Sequence, residues 1–270
     1  MRGTEEVENH GCADGRQYVL KHESTSTGTS MRFGLFVPEA PRALLVFLSG
    51  LTCTEQNVIT KGHFQAAAAE AGLAVLCPDT SPRGEGVPDD EGWDFGQGAG
   101  FYLDATQEPW SQHFRMRSYV EDELLPQVQE HLGLDRVGIT GHSMGGHGAL
   151  VLGLRSPERY GSVSALSPIS SAPNCPWGVK ALGGYLGDDR SVWADHDAAA
   201  LLAKAGDRRV LVDQGLDDPF LVEQLKPELL EETGAPGLTL RRHAGYDHGY
   251  YYVSTFLPDH VRFHAELLLG

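Results

Sequence analysis

Basic residues are scarce in this chain. Lysine and arginine total 21 against 37 aspartates and glutamates, so the formal net charge is −16. Nucleic acids and anionic membranes are both bound through a basic footprint, so neither is an expected partner. Long apolar runs are also missing. The longest, Ala43 to Leu48, has six residues, far short of the ~20 that span a bilayer. The opening stretch from Met1 to Glu8 is acidic and holds no apolar segment, so no signal peptide is expected and the cytoplasm is the expected location. Cysteine occurs only at 12, 53, 77 and 175, with no C-x-x-C pair. That spacing excludes the common zinc and thiol-redox motifs, and a reducing compartment disfavours disulfides. The H-x-H-x-D-H cluster of metal-dependent thioesterases is absent as well. No metal and no cofactor are expected. No repeat of 20–50 residues is found.

What remains is a globular balance of 41% apolar and 21% charged residues. A chain of 270 residues buries roughly 70–75% of its unfolded surface and needs no staples. Val19-Leu20 and Met31 to Val37 read as a hairpin about the polar stretch Ser24 to Thr29. Residues 1–16 carry no clear signal and are expected to be poorly ordered. Ala43 to Leu48 and Leu73 to Cys77 read as strands covered on both faces. His63 to Ala71 reads as a helix capped by Gly72. Pro78 to Trp110 is a long loop rich in glycine and proline. It carries Trp93, Phe95, Phe101 and Tyr102, too aromatic for disorder, so it is expected to be ordered and functional, with Trp93 and Phe101 in the substrate pocket.

From His113 an apolar stripe, Val120, Leu124, Val128 and Leu132, predicts a helix kinked at Pro126 and stopped at Gly133. Strands at Val137–Thr140, Val163–Leu166, Val210–Asp213 and Leu238–His243 alternate with helices at Met144–Arg155, Phe220–Glu232 and Tyr250–Leu269. That alternation predicts one α/β domain over 1–270, with a mostly parallel sheet between two helical layers.

Gly141-His142-Ser143-Met144-Gly145 matches G-x-S-x-G. The pattern alone is weak. Its place between a strand and a helix makes it a nucleophile elbow. A turn that tight leaves no room for a Cβ two residues either side of the serine. It sets Ser143 Oγ at a helix N-terminus, where the Met144 N–H faces a developing oxyanion. A serine hydroxyl needs a base. In this fold class the order is Ser, Asp/Glu, His, and His248 follows the last predicted strand. His142 is too near Ser143 in sequence to approach it across a cleft, and His147 lies on the next helix. The acid should follow the strand ending near Asp213. Asp213, Asp217 and Asp218 are the candidates, and spacing alone does not separate Asp217 from Asp218. A second oxyanion donor is expected from the loop after Leu48, at the Leu51 N–H, with Cys53 two residues on, beside the acyl pocket. Lys61, Arg83, Arg115, Arg117 and Lys180 are candidate cations for an anionic substrate.

Several motifs together resemble one family. They are Leu48-Ser49-Gly50-Leu51-Thr52-Cys53-Thr54, Pro78 to Gly84, Trp93-Asp94-Phe95-Gly96, Gly141 to Gly148, Asp213-Gln214-Gly215, and Gly245-Tyr246-Asp247-His248 with Tyr250-Tyr251. The chain is similar, from about Gln17 onward, to the S-formylglutathione hydrolases, also called esterase D, of the α/β-hydrolase superfamily. The resemblance implies an α/β-hydrolase fold. It implies a triad of Ser143, Asp218 and His248, with Asp218 chosen because it stands just ahead of Pro219-Phe220-Leu221. It also implies an oxyanion hole at Leu51 and Met144, a homodimer, and hydrolysis of a small-molecule formyl thioester in formaldehyde detoxification. A general short-chain carboxylesterase or acyltransferase is the alternative on the same fold. A catalytically idle binding protein is the alternative of another class.

Overall fold

The computed structural model describes residues 1 and 3–270. Among them, nine strands form one sheet: β1 Thr4–Gly11, β2 Gly15–Glu23, β3 Ser30–Pro38, β4 Ala43–Leu48, β5 Leu73–Pro78, β6 Val137–Gly141, β7 Ser162–Leu166, β8 Val210–Gly215 and β9 Leu238–His243. Their order is β1-β2-β3-β5-β4-β6-β7-β8-β9. The β1-β2, β2-β3 and β3-β5 pairs are antiparallel, and every pair from β5-β4 to β8-β9 is parallel. The sheet is thus mostly parallel. The helices are α1 Glu55–Lys61, α2 Gln65–Ala71, α3 Met116–Ser118, α4 Leu125–Leu132, α5 Met144–Arg155, α6 Pro176–Leu186, α7 Ala198–Leu202, α8 Glu228–Glu231 and α9 Tyr250–Leu269.

Strand β4 explains why the sheet is covered twice. Leu44, Val46 and Leu48 belong to a core with Val128 of α4, Leu150 of α5 and Leu182 of α6. Ala43, Leu45 and Phe47 alternate onto the other face, against Val58 of α1, Ala68 of α2 and Val253 and Leu257 of α9. All six strand residues are at most 1% exposed. Each large one contributes roughly 1.5–3 kcal/mol by leaving water, which is why an unbroken apolar run, not an alternating one, marks this strand.

Four expectations are corrected. Residues 4–11 form β1, paired with β2 from Thr4↔His22 to Gly11↔Arg16. This edge strand is held by its backbone ladder and is polar on both faces, so no apolar alternation reports it. The helix expected from His63 begins at Gln65, because His63 has a φ of 52° and cannot be helical. Over Phe220–Glu232 a π-turn at Leu221–Leu225 is followed by Lys226 in the left-handed region and by α8, and Pro227 lies at the break. The helix after His113 carries a π-turn at Tyr119–Leu124, so Pro126 opens α4. Its missing N–H is harmless there.

The parallel strands bring four carboxyl ends to one edge of the sheet. β4 leads into Gly50 and Leu51, β6 into Ser143, β8 into Asp218 and β9 into His248. Ligands in open α/β sheets bind at that edge.

Candidate active site

Ser143 stands between β6 and α5 with φ 59° and ψ −122°, a conformation L-residues avoid. Backbone bonds on both sides hold it there. The His142 N–H donates to Leu48 O at 3.0 Å and the Ser143 N–H to Leu166 O at 2.9 Å. The flanking glycines are sterically required. A Cβ on Gly145 would lie 2.0 Å from Leu48 O, and one on Gly141 2.3 Å from Gly145 O.

The Leu51 and Met144 N–H groups beside Ser143 have no acceptor among the described residues. Three nearby N–H groups are engaged. The Thr52 N–H donates to Gly98 O at 2.9 Å, Cys53 N–H to Gly50 O at 3.2 Å and Gly145 N–H to His142 O at 2.8 Å. Backbone donors left free next to a serine at a helix N-terminus suit an oxygen that gains charge during reaction. Gly50 permits the approach, since its Cβ would sit 3.0 Å from the Ser143 Cβ.

His248 Nδ1 lies 2.5 Å from Asp218 Oδ2. Asp218 is buried, and its carboxylate also accepts from the Phe220 N–H at 2.9 Å and from Gln214 Nε2 at 3.3 Å. The acid loop and the histidine loop are tied together by Asp217 N–H to Tyr246 O at 3.0 Å and Leu216 N–H to His243 O at 2.9 Å. Gly215 is needed at that crossing, where a Cβ would meet Tyr246 O at 2.4 Å. The Asp218 contact takes Nδ1 and leaves Nε2 for the serine. Ser143 and His248 line one cavity of about 330 Å³. They are not hydrogen-bonded to each other among the described contacts. Such a contact commonly tightens only when substrate is bound.

The other acids go elsewhere. Asp217 is exposed. Asp213 is buried in β8 against Arg241, His243 and His260. The rival histidines are accounted for too. The His142 ring packs 4.5 Å from that of His248, and burial, then the neighbouring His248, hold it well below the ordinary histidine range. His147 Nδ1 lies 3.2 Å from Ile169 O, and burial lowers its pKa to about 4. Both rings therefore stay neutral at pH 7.

Cys53 and Trp93 line the cavity. Burial raises the Cys53 thiol, so it is protonated at neutral pH. Phe101, expected in the pocket, is instead 2% exposed in the core, edge-on to His147 at 6.4 Å. Its φ of 49° turns the loop inward. Lys61 lines an adjoining cavity. Three expected cations are neutralised: Arg83 by Asp79 at 3.0 Å, Arg117 by Asp104 at 2.9 Å, and Lys180 by Asp94 and Asp90 at 2.7 and 3.0 Å. Arg115 is exposed and away from the cavity around Ser143. Trp93 opens an aromatic wall whose other members sequence reasoning missed: Trp93 meets Trp177 at 5.4 Å, Trp177 meets Phe220 at 4.8 Å and Phe220 meets His248 at 5.1 Å. Of the two missed residues only Phe220, two past Asp218, had a positional signal.

The family described as putative esterase matches residues 24–263. Over 98% of this chain and 98% of the relative, the sequence is 50% identical to S-formylglutathione hydrolase of Paracoccus denitrificans. The chain belongs to the S-formylglutathione hydrolase family of esterases. An S-formylglutathione hydrolase from Agrobacterium tumefaciens superposes with a TM-score of 0.94 at 46% identity, covering 97% of this chain and 99% of that one. The fluorophosphonate-binding serine hydrolase FphF of Staphylococcus aureus has a TM-score of 0.72 at 21% identity over 93% of this chain and 98% of its own, a likeness of fold alone. The esterase sheet described above is that of the α/β-hydrolase fold, and the chain is a serine hydrolase of that family.

Proposed function

We propose that this chain hydrolyses S-formylglutathione to glutathione and formate, with Ser143, His248 and Asp218 as triad and the Leu51 and Met144 N–H groups as oxyanion hole. The observation that carries the mechanism is the pair of unengaged N–H groups beside a strained serine, in a cavity shared with an aspartate-bound histidine. The names of the 50% and 46% identical relatives support the substrate.

Ser143 Oγ attacks the formyl carbon while His248 Nε2 takes its proton. Asp218 keeps the ring oriented and stabilises it as it becomes charged. The carbonyl oxygen becomes an oxyanion held by the two N–H groups, each worth about 3–4 kcal/mol at the transition state. Collapse breaks the C–S bond, and the thiolate takes the proton from His248. Water, losing a proton to the same nitrogen, then attacks the formyl-serine ester. Formate leaves and Ser143 recovers its proton. The release of formate completes formaldehyde detoxification after the thioester has been made.

A single 270-residue unit acting as a homodimer in the cytoplasm is part of this reading. The family resemblance supports the dimer, and the four unpaired cysteines agree with a reducing compartment. Sedimentation tests the first. The activity is tested by kcat/KM for S-formylglutathione against S-acetylglutathione and p-nitrophenyl butyrate. Preference for the formyl thioester by at least tenfold is expected. Preference for the butyrate ester would favour a general short-chain esterase. Absence of Ser143 labelling by a fluorophosphonate would favour an idle binding protein.

A further inference from the structure

A second cavity of about 340 Å³ adjoins the one around Ser143. It is lined by Thr60, Lys61, His63, Tyr250, Tyr251 and Ser254. Tyr250 belongs to both cavities and forms the wall between them. Two helices carry the lining outward. Asn57 of α1 faces the acyl cavity and Lys61, four residues on, faces the second. Residues spaced i, i+4 share one helix face. Tyr250 and Ser254 repeat that spacing on α9.

Lys61 differs from Arg83, Arg117 and Lys180, which carboxylates neutralise, and from Arg115, which is not among the residues lining either cavity. Its ammonium has no carboxylate within 4 Å and no hydrogen bond among the described residues, and it lies 6.0 Å from the centre of the Tyr250 ring. In a chain of net charge −16 long-range attraction for an anion is adverse, so a local free cation beside the reaction centre is where an anionic carrier gains most. Tyr251, 90% exposed at the same rim, offers an aromatic face that no protein group covers.

We propose that this second cavity is the subsite for the thiol carrier, with Lys61 binding a carboxylate of the peptide and Tyr251 covering its backbone. The proposal rests on the reading of the substrate as a glutathione thioester. The dimensions agree. One helical turn from Asn57 to Lys61 is a rise of about 6 Å. From the carrier's sulfur-bearing residue to the carboxylate of the next is about 7 Å of extended chain. A formyl group in the acyl cavity then leaves the sulfur at the Tyr250 wall and the carboxylate at Lys61. Acyl selection and carrier selection fall to separate sets of residues.

The test compares wild type with Lys61→Ala and Lys61→Glu on S-formylglutathione and on p-nitrophenyl acetate, which has no carrier. The ratio of the two kcat/KM values should fall about 5-fold in Lys61→Ala and about 20-fold in Lys61→Glu, through the KM of the thioester. Raising salt from 0.02 to 0.5 M should shrink the wild-type ratio and leave that of Lys61→Ala nearly flat. An unchanged ratio in Lys61→Glu, with the wild type still preferring S-formylglutathione, would overturn the subsite. An equal fall on both substrates would overturn it too. A wild type that shows no preference for S-formylglutathione would instead remove the substrate reading on which it stands.

Discussion

Two aspartates five residues apart, Asp213 and Asp218, each hold a histidine, and the two settings differ in what lies beyond the ring. Asp218 binds His248 at 2.5 Å, and that ring borders a cavity with a serine in it. Asp213 binds His260 at 2.9 Å and His243 at 3.0 Å, and accepts two bonds from Arg241 at 2.6 and 2.5 Å. Beyond His260 the chain of contacts stays buried. Its Nδ1 lies 2.7 Å from Ser164 Oγ, which lies 2.8 Å from both Thr140 Oγ1 and His264 Nε2. His264 Nδ1 then meets Ser162 Oγ at 2.6 Å. His260 and His264 are a turn apart on α9 and fully buried. That network fastens the last helix to the strands that carry the site. An Asp–His pair is therefore not a catalytic signature by itself. The same two residue types can lock a fold, as where both nitrogens of His260 are engaged, or leave one nitrogen facing a serine and a void, as at His248.

The sharpest way to break this contrast is at the cavity side. Ser143→Ala and His248→Ala should each lower kcat by roughly 10⁴–10⁶-fold with unchanged melting temperature, read by steady-state kinetics and calorimetry. A residual rate within tenfold of wild type would remove the serine mechanism. Asp218→Asn should lower kcat by about 10³–10⁴-fold, because the amide no longer selects the tautomer that leaves Nε2 free to accept. Asp217→Asn, on an exposed carboxylate, should stay within about 2-fold. An exchange of those two results would shift the acid by one residue.

Asp213→Asn should show the opposite balance. Losing a buried charge that Arg241, His243 and His260 all depend on costs about 3–5 kcal/mol of stability, while kcat at 25 °C should fall less than about tenfold. Urea unfolding and activity on the same samples check both. The pH dependence has a definite sign. Burial alone would raise the Asp213 carboxyl, but hydrogen bonds from Arg241 and His260, the charge of His260 and the bond from His243 together hold it well below the usual carboxylate range. A depressed acid contributes its stability in full above its unfolded value of about 3.9 and loses it as pH falls toward the folded value. The wild type should therefore lose stability below about pH 4, and Asp213→Asn should lose less across that window. Equal acid slopes in the two proteins would show that the network carries no linkage.

The smallest effect is expected at Cys53, which lines the cavity around Ser143 without a histidine partner. Cys53→Ala should keep kcat within about 3-fold and should resist inactivation by N-ethylmaleimide, which blocks the wild type by volume. Burial raises this thiol, so wild-type inactivation should be slow at neutral pH and quicken as pH rises. Loss of turnover in untreated Cys53→Ala would make the thiol part of the chemistry.

Much of the framework is legible in the residues. β4 and α9 end where the apolar runs and periodicities end, because burial on both faces or along one stripe leaves an unmistakable pattern. The elbow is legible for a different reason: Gly141 and Gly145 answer a steric demand made by backbone atoms. Elements held by capping or by backbone pairing are not legible that way. β1 has one large apolar residue, Val7, and that is exposed. α1 is set by a capping box between Thr54 and Asn57, in a stretch too short for periodicity. α6 joins Pro176 and three glycines into a helix that local propensity argues against. Its burial against Trp193 and Phe95 decides the matter.

By itself the sequence determined the alternation of strands and helices, the serine on its elbow, and the order in which acid and histidine follow it. These are local demands of burial, sterics and chain order. The tertiary structure decided which of three aspartates reaches His248, which of five cations borders the neighbouring cavity with no carboxylate bound, and that Phe101 turns into the core while Trp177 and Phe220 wall the cavity. Those outcomes depend on how loops from different strands cross at one edge of the sheet. No pairwise pattern along the chain encodes a distance across that edge, since it is set by the packing of every strand and helix beneath it.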